Sequence, residues 1–188
     1  ILEKISKLEL LSDKKNNLKN KPFFLCGYAP ERINPTDRTH LLPDTNKIVS
    51  GSTIRTTKFL KKLYKTIIRA KVLMVDTIKV AEASKMLENV QRDLNIALIN
   101  ELSIIYNKLG IKTLDVLKAA GTKWNFATFY PGLVGGHCIG VDPYYMAYKA
   151  KQMKVKSDLI LGGRKINDNM SNYVGKKFLS ILKKKNKS

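Results

Sequence analysis

One stretch of this 188-residue chain places a sulfur nucleophile where chemistry is possible: Phe129-Tyr130-Pro131-Gly132-Leu133-Val134-Gly135-Gly136-His137-Cys138-Ile139-Gly140-Val141-Asp142-Pro143-Tyr144-Tyr145. Its four glycines and two prolines rule out an ordinary helix or strand. Gly132, Gly135 and Gly136 instead allow tight turns and a close approach of backbone to a ligand. Asp142-Pro143 reads as an N-cap and first helical residue, opening a helix through Tyr145, Ala147 and Lys151. Cys138 then faces the positive end of that helix, which favours negative charge on sulfur and suggests covalent catalysis. A lone cysteine is equally a small buried hydrophobe, and spacing alone leaves both readings open. His137 is adjacent to Cys138, and neighbouring residues rarely face each other, so a Cys-His hydrolase is not expected. Two histidines and two cysteines at scattered positions make no metal site.

Two further groups carry candidate chemistry. Lys85 and Asn89 are four apart and share a face if the segment is helical, although such a pair is commonly surface decoration. Glu31 lies in Ala29-Pro30-Glu31-Arg32-Ile33-Asn34-Pro35, directly after an apolar run. Ligands of open α/β sheets gather at the carboxyl ends of strands, and a solvent-exposed turn is the plainer alternative.

The elements that position these residues follow from periodicity. Ile1, Ile5, Leu8 and Leu11 have helical spacing, and Ser12 to Lys21 reads as a loop. Pro22 to Tyr28 reads as a buried strand, with Cys26 as a core residue. Lys47 to Gly51 and Val72 to Val75 are strand candidates around a helical pattern from Thr57 to Arg69, which together suggest part of a parallel sheet. Apolar residues from Val80 to Leu109 form a stripe along a predicted helix from Lys79 to Leu109, stopped by Gly110. A helix roughly 45 Å long is too long for a small domain to bury, so it is expected to pair with a second copy or to connect domains. Thr113 is expected to cap a helix through Ala120 that Gly121 ends. Trp124, Phe126, Phe129 and Tyr130 wall a pocket or belong to the core. Helices are expected over Tyr144 to Gln152 and from Leu159 to Leu182, with the lysine run from Lys183 to Lys187 a frayed tail.

Composition narrows the function classes. The net charge of +20 invites a polyanion partner, but lysine far outnumbers arginine and is spread along the chain. No nucleic-acid-binding signature accompanies it, so no nucleic-acid partner is expected. No apolar run approaches a membrane span. Cys26 and Cys138 give no disulfide framework and fit a reducing, cytoplasmic setting. Ile1 is not an initiator methionine, and the chain reads as a piece of a longer one.

The wording of three segments goes beyond spacing. The loop from Pro131 to Tyr145, the Tyr-x-Pro-Glu-Arg-Ile-Asn-Pro segment around Glu31, and Ala81-Glu82-x-x-Lys85-x-x-x-Asn89 together resemble the UDP-glucose/GDP-mannose dehydrogenase family. The likeness is nearest to its branch acting on UDP-N-acetylhexosamines; Pro35 stands where the UDP-glucose branch has a second acidic residue. The resemblance implies an NAD-dependent, two-step oxidation of a sugar CH2OH to a uronate for surface polysaccharide synthesis. It implies Cys138 as nucleophile, and Lys85 and Asn89 as stabilisers of charge on the reacting oxygen. It also implies Asp142 as a proton-handling carboxylate, Glu31 near the hydrolytic step, and Tyr130, Gly132, Gly135 and Gly136 at the substrate. The family branch has an arginine at the position of Tyr130. The substrate expected is a UDP-N-acetylhexosamine, the cofactor NAD, and the assembly a homodimer through the long helix.

The fold class expected is mainly α, with an incomplete Rossmann-like α/β part before the long central helix. Residues 1–76 correspond to the end of an NAD-binding domain, 77–170 to a central helical dimerisation and catalytic domain, and 171–188 to the start of a linker toward a UDP-sugar-binding domain. Gly-x-Gly-x-x-Gly occurs nowhere in the sequence, so NAD-binding residues are not assignable and the chain by itself is expected not to turn over. The alternative is a remnant that folds and dimerises without catalysis.

Overall fold

Threonines begin two of the helices. The Thr53 side chain accepts a hydrogen bond from the Thr56 amide and opens α1, Ile54–Tyr64. The Thr77 hydroxyl accepts one from the Val80 amide and opens α2, Ile78–Lys108. Each occupies an otherwise orphaned donor of the first helical turn. The computed structural model describes residues 6, 8–12, 22–33, 37–136 and 138–185. Two compact units share the chain, Ile1–Lys85 and Met86–Ser188, and α2 runs through the division.

In the first unit, β1 (Glu9–Leu10) pairs in parallel with β2 (Phe23–Phe24). A second sheet has the order β3-β4-β5, formed by Gly27–Tyr28, Lys47–Gly51 and Val72–Met74. The β4-α1-β5 passage is a parallel crossover, as expected. The β3–β4 pairing is antiparallel, so the expected parallel arrangement holds for β4 and β5 and not for β3. A short 3-10 turn, Leu42–Asp44, precedes β4. Val49, Ile68 and Val72 form the core, with Leu42, Leu60 and Tyr64 packed against it.

Several local expectations are also corrected. Glu9 and Leu10 are extended rather than helical, because strand pairing supplies their backbone partners; Ile1 and Ile5 lie outside the described residues, as do residues 13–21 of the expected loop. The run from Pro22 to Tyr28 is two short strands serving different sheets, with Phe23 and Leu25 exposed and Cys26 half-buried. α1 starts at Ile54 because its cap is Thr53, and it ends at Tyr64, where i→i−3 bonds from Thr66 and Ile67 tighten the chain into a turn.

The helix α2, which enters the second unit at Met86, spans 31 residues, roughly 46 Å at 1.5 Å per residue. Gly110, at φ +72°, ends it. The Ile111 amide bonds to the Tyr106 carbonyl and the Gly110 amide to that of Asn107, the pair of bonds of a Schellman terminus. The helix α3, Thr113–Ala120, follows; Thr113 is its first helical residue and not its cap, and Lys112 before it makes no side-chain cap bond. After an irregular segment come α4, Asp142–Gln152, and α5, Asp158–Lys185. α5 continues through Lys183, Lys184 and Lys185, so the expected fraying does not begin there; Asn186 and Lys187 lie outside the described residues. A Cβ at Gly163 of α5 would run into the Leu94 side chain, and the glycine lets α5 lie close against α2. Among the described residues, no helix is long and apolar enough to cross a membrane. The fold is mainly α, with a small partial sheet toward the N-terminus.

Candidate active site

Cys138 carries an exposed, free thiol in the turn that enters α4. Its carbonyl accepts from the Asp142 amide at 3.0 Å and from the Val141 amide at 3.4 Å, closing one turn between cysteine and helix. Val141 flanks the helix and makes no side-chain cap bond, whereas Asp142 and Pro143 are its first two residues. The expected N-cap role of Asp142 is therefore corrected: its carboxylate is turned to another partner. Asn89 Nδ2 donates to Asp142 Oδ2 at 2.5 Å. Asn89 is 1% exposed and Asp142 is half-buried, and the bond fixes the carboxylate against the buried amide. Lys85 lies one helical turn before Asn89 on α2 and is half-buried.

The glycines divide by role. Gly132 is clamped on both sides of its backbone by one side chain: its amide donates to Asn100 Oδ1 at 2.8 Å, and its carbonyl accepts from Asn100 Nδ2 at 2.9 Å. Gly136 has φ +86°, a conformation that a β-carbon would strain. Gly135 is exposed, with open space around the position a β-carbon would take. His137 lies outside the described residues. The aromatic residues before the loop are not core: Trp124 is 93% exposed, Tyr130 is exposed, and Phe129 alone is half-buried.

Glu31 belongs to the first unit. Burial raises its pKa, but the Ile33 and Arg32 amides at 2.9 and 2.8 Å, together with Lys47, outweigh that and leave it lowered. Lys47 Nζ approaches Glu31 Oε2 at 3.6 Å and stands 5.4 Å from the Tyr64 ring centroid. Pro35 and Asn34 lie outside the described residues.

Residues 79–169 match the central domain of the UDP-glucose/GDP-mannose dehydrogenase family, and this span contains Lys85, Asn89, Cys138 and Asp142. The chain belongs to that family. It is 54% identical to the UDP-N-acetyl-D-glucosamine 6-dehydrogenase of Salmonella typhi over 86% of this chain and 38% of the relative. It is 50% identical to the Pseudomonas aeruginosa enzyme of the same name over 98% of this chain and 42% of that one. Among solved structures, the UDP-D-ManNAc dehydrogenase from Pyrococcus horikoshii superposes with a TM-score of 0.81 at 27% identity, covering 98% of this chain and 41% of that one. The chain thus spans about two fifths of the length of the curated relatives it matches.

Within this family member, sequence reasoning missed a buried polar cluster. Asp93, Asn100, Arg164 and Asn167 are each at most 3% exposed. Arg164 Nη1 donates to Asp93 Oδ1 at 2.6 Å, and its Nη2 bonds Asp168. Burial lowers the Arg164 pKa, but the two carboxylates and the neighbouring Tyr144 hydroxyl outweigh that and raise it. Tyr144 donates to Asp168 Oδ2 at 2.6 Å; that bond, with burial, raises the phenol above its ordinary range against the pull of Arg164. Asn89, Asp93 and Asn100 fall at helical spacing on α2, a signal that the apolar stripe obscured.

The turn from β4 to α1 does not fit the pyrophosphate of a dinucleotide. The strand-to-helix turn from β4 to α1 is filled by the protein's own groups: the Gly51 amide donates to Thr57 Oγ1 at 2.9 Å, and Thr53 takes the Thr56 amide. A Cβ at Gly51 would meet the Thr56 side chain, so no room for a phosphate opens there.

Proposed function

We propose that this chain is the central, cysteine-bearing portion of an NAD-dependent dehydrogenase that converts the C6 hydroxymethyl of a UDP-N-acetylhexosamine to the uronate for surface polysaccharide synthesis. The observation that carries the reading is the Asn89–Asp142 bond beside the Cys138 turn, inside the span that matches the family. NAD, held by the cofactor domain, would supply the hydride acceptor for each of the two oxidations. Cys138 sulfur adds to the C6 aldehyde carbon to give a thiohemiacetal. After oxidation to the thioester, water attacks the carbonyl carbon, the C–S bond breaks, and the proton returns to sulfur or solvent. Lys85 and Asn89 stabilise the oxyanion, Asp142 handles the proton of the reacting oxygen, and Glu31 serves the hydrolytic step. Residues 1–76 are the end of the cofactor domain, 77–170 the central domain, and 171–188 the start of the passage to the nucleotide-sugar domain. The protein acts in the cytoplasm as a homodimer.

A chimera tests this: residues 79–169 of this chain replace their counterpart in the Salmonella typhi relative. NADH formation with UDP-N-acetylglucosamine is expected, and Cys138→Ala is expected to abolish it. A folded chimera without turnover, or full turnover in Cys138→Ala, refutes the reading. The absence of a glycine fingerprint favours a second reading, in which the chain alone folds and self-associates without turnover. The chimera distinguishes the two, because a remnant without a working site gives a folded chimera with no turnover.

A further inference from the structure

The loop that carries Cys138 is tied at both ends to one hydrogen-bonded path, buried from Asn100 to Arg164 and exposed at Asp168 and Tyr144. At its entrance, Gly132 is held on both sides by the Asn100 amide. Asn100 Nδ2 also donates to Asn167 Oδ1 at 2.9 Å. Asn167 Nδ2 in turn donates to Asp93, at 2.7 Å to Oδ1 and 3.0 Å to the carbonyl. Asp93 holds Arg164, Arg164 holds Asp168, and Asp168 accepts from Tyr144. Tyr144 is two residues beyond Asp142 on α4, at the exit of the same loop. The path therefore runs from six residues before Cys138 to six residues after it, through side chains of α2 and α5.

We infer that Asn100 is a positioning residue for Cys138, and that the Asn100–Asn167–Asp93–Arg164 path is the frame that holds the nucleophile loop. This rests on the reading of Cys138 as nucleophile only for its catalytic meaning; the mechanical claim stands on the bonds. The physical reason is economy of anchoring. The loop segment itself has exposed glycines at 132, 135 and 136, whose backbone freedom must be removed by something outside the loop. A side-chain amide satisfying both backbone groups of one glycine does this at a single point. The cluster is buried, so its bonds do not exchange readily with water. Small displacements of a reacting group are expensive in rate, which is what such a frame prevents.

The test uses the chain itself and reads the thiol, not turnover. Alkylation of Cys138 and Cys26 by iodoacetamide is followed by mass spectrometry in the parent, in Asn100→Ala and in the urea-unfolded chain. Amide hydrogen exchange at Gly132 is followed by NMR. In Asn100→Ala the Gly132 amide is expected to exchange about tenfold faster or more. The Cys138 rate is expected to move about fivefold or more toward its unfolded value, with the Cys26 rate unchanged. Asn107→Ala is the control: it removes the bonds of Asn107 to Tyr173 and Lys177, which also join α2 to α5 but do not reach the loop. It is expected to leave Cys138 as in the parent. A Cys138 rate unchanged in Asn100→Ala overturns the inference, as does a parent rate equal to the unfolded one. Equal effects of Asn107→Ala and Asn100→Ala overturn it too, because helix pairing alone would then suffice. If Asn100→Ala does not fold, Asn100→Ser, which keeps a hydroxyl in the buried space, is read by the same outcomes. Failure of the nucleophile reading appears separately, as turnover retained in Cys138→Ala.

Discussion

The Tyr144 hydroxyl is a neutral donor to a carboxylate, so its ionisation is opposed in the folded state. A phenol whose pKa is raised by folding contributes stability fully below its unfolded value, about 10, and loses it as pH rises through the folded value. The parent is therefore expected to be more stable than Tyr144→Phe at pH 8, with the difference shrinking steadily at higher pH. Thermal melts of both proteins across the alkaline range measure it, and a pH-independent difference would remove the role assigned to this bond. Tyr130 offers a second test. It is exposed where the family resemblance implies an arginine, and one charge-assisted bond to a diphosphate corresponds to about tenfold in affinity. Tyr130→Arg in the chimera is expected to lower KM for the UDP-sugar by about that factor with kcat little changed; an unchanged KM places the phosphates elsewhere. At this scale the sequence marked candidate groups for chemistry. Cys138 stood out through its glycines, and Lys85 and Asn89 through the wording of the segment around them, since their spacing alone also fits surface decoration. Lys47 and Asn100 did not stand out, because their partners lie 16 and 32 residues away and no local pattern reports such pairings.

Helices were more legible than strands, for a physical reason. The long stripe of α2 and its Gly110 stop are local signals, and the structure reproduces both within a residue. The strand run from Pro22 to Tyr28 has no local feature that says which neighbour it pairs with, and it divides between two sheets. Helix starts depend on one side chain finding one amide, which explains why Asp142 sits inside α4 instead of capping it. The α2–α5 pairing carries a testable cost. Arg164 and Asp93 are a buried ion pair, with Asp93 Oδ2 and Arg164 Nε unpartnered among the described residues. Removing one member leaves an uncompensated charge, and Arg164→Met is expected to cost about 3–5 kcal/mol in urea unfolding. The double variant Asp93→Leu/Arg164→Met is expected to recover most of that, since an apolar pair of similar volume needs no solvation. A double variant as unstable as the single one would mean that Asn167 and Asp168 depend on the pair for their own placement.

Charge and apolar surface oppose each other over the whole molecule. A chain of net charge +20 repels its own copies. Yet α2 leaves Leu87, Leu98 and Ile105 exposed, and α5 leaves Phe178, Leu179 and Ile181 exposed. Apolar residues in such number on two long helices are what a homodimer would cover. The two terms respond differently to salt. Screening shortens the reach of the repulsion, with a Debye length of about 8 Å at physiological ionic strength, and leaves apolar burial nearly untouched. Self-association is therefore expected to strengthen as sodium chloride rises, opposite to binding that depends on a polyanion, which salt weakens. Sedimentation equilibrium at low and high salt reads the sign directly. Leu98→Glu adds a desolvation cost at the centre of the covered face and is expected to shift the equilibrium to monomer at every salt concentration. A parent that is monomeric throughout the salt series would reject the homodimer. A dimer that salt dissociates would locate the contact among charged side chains and leave the apolar face of α2 outside it.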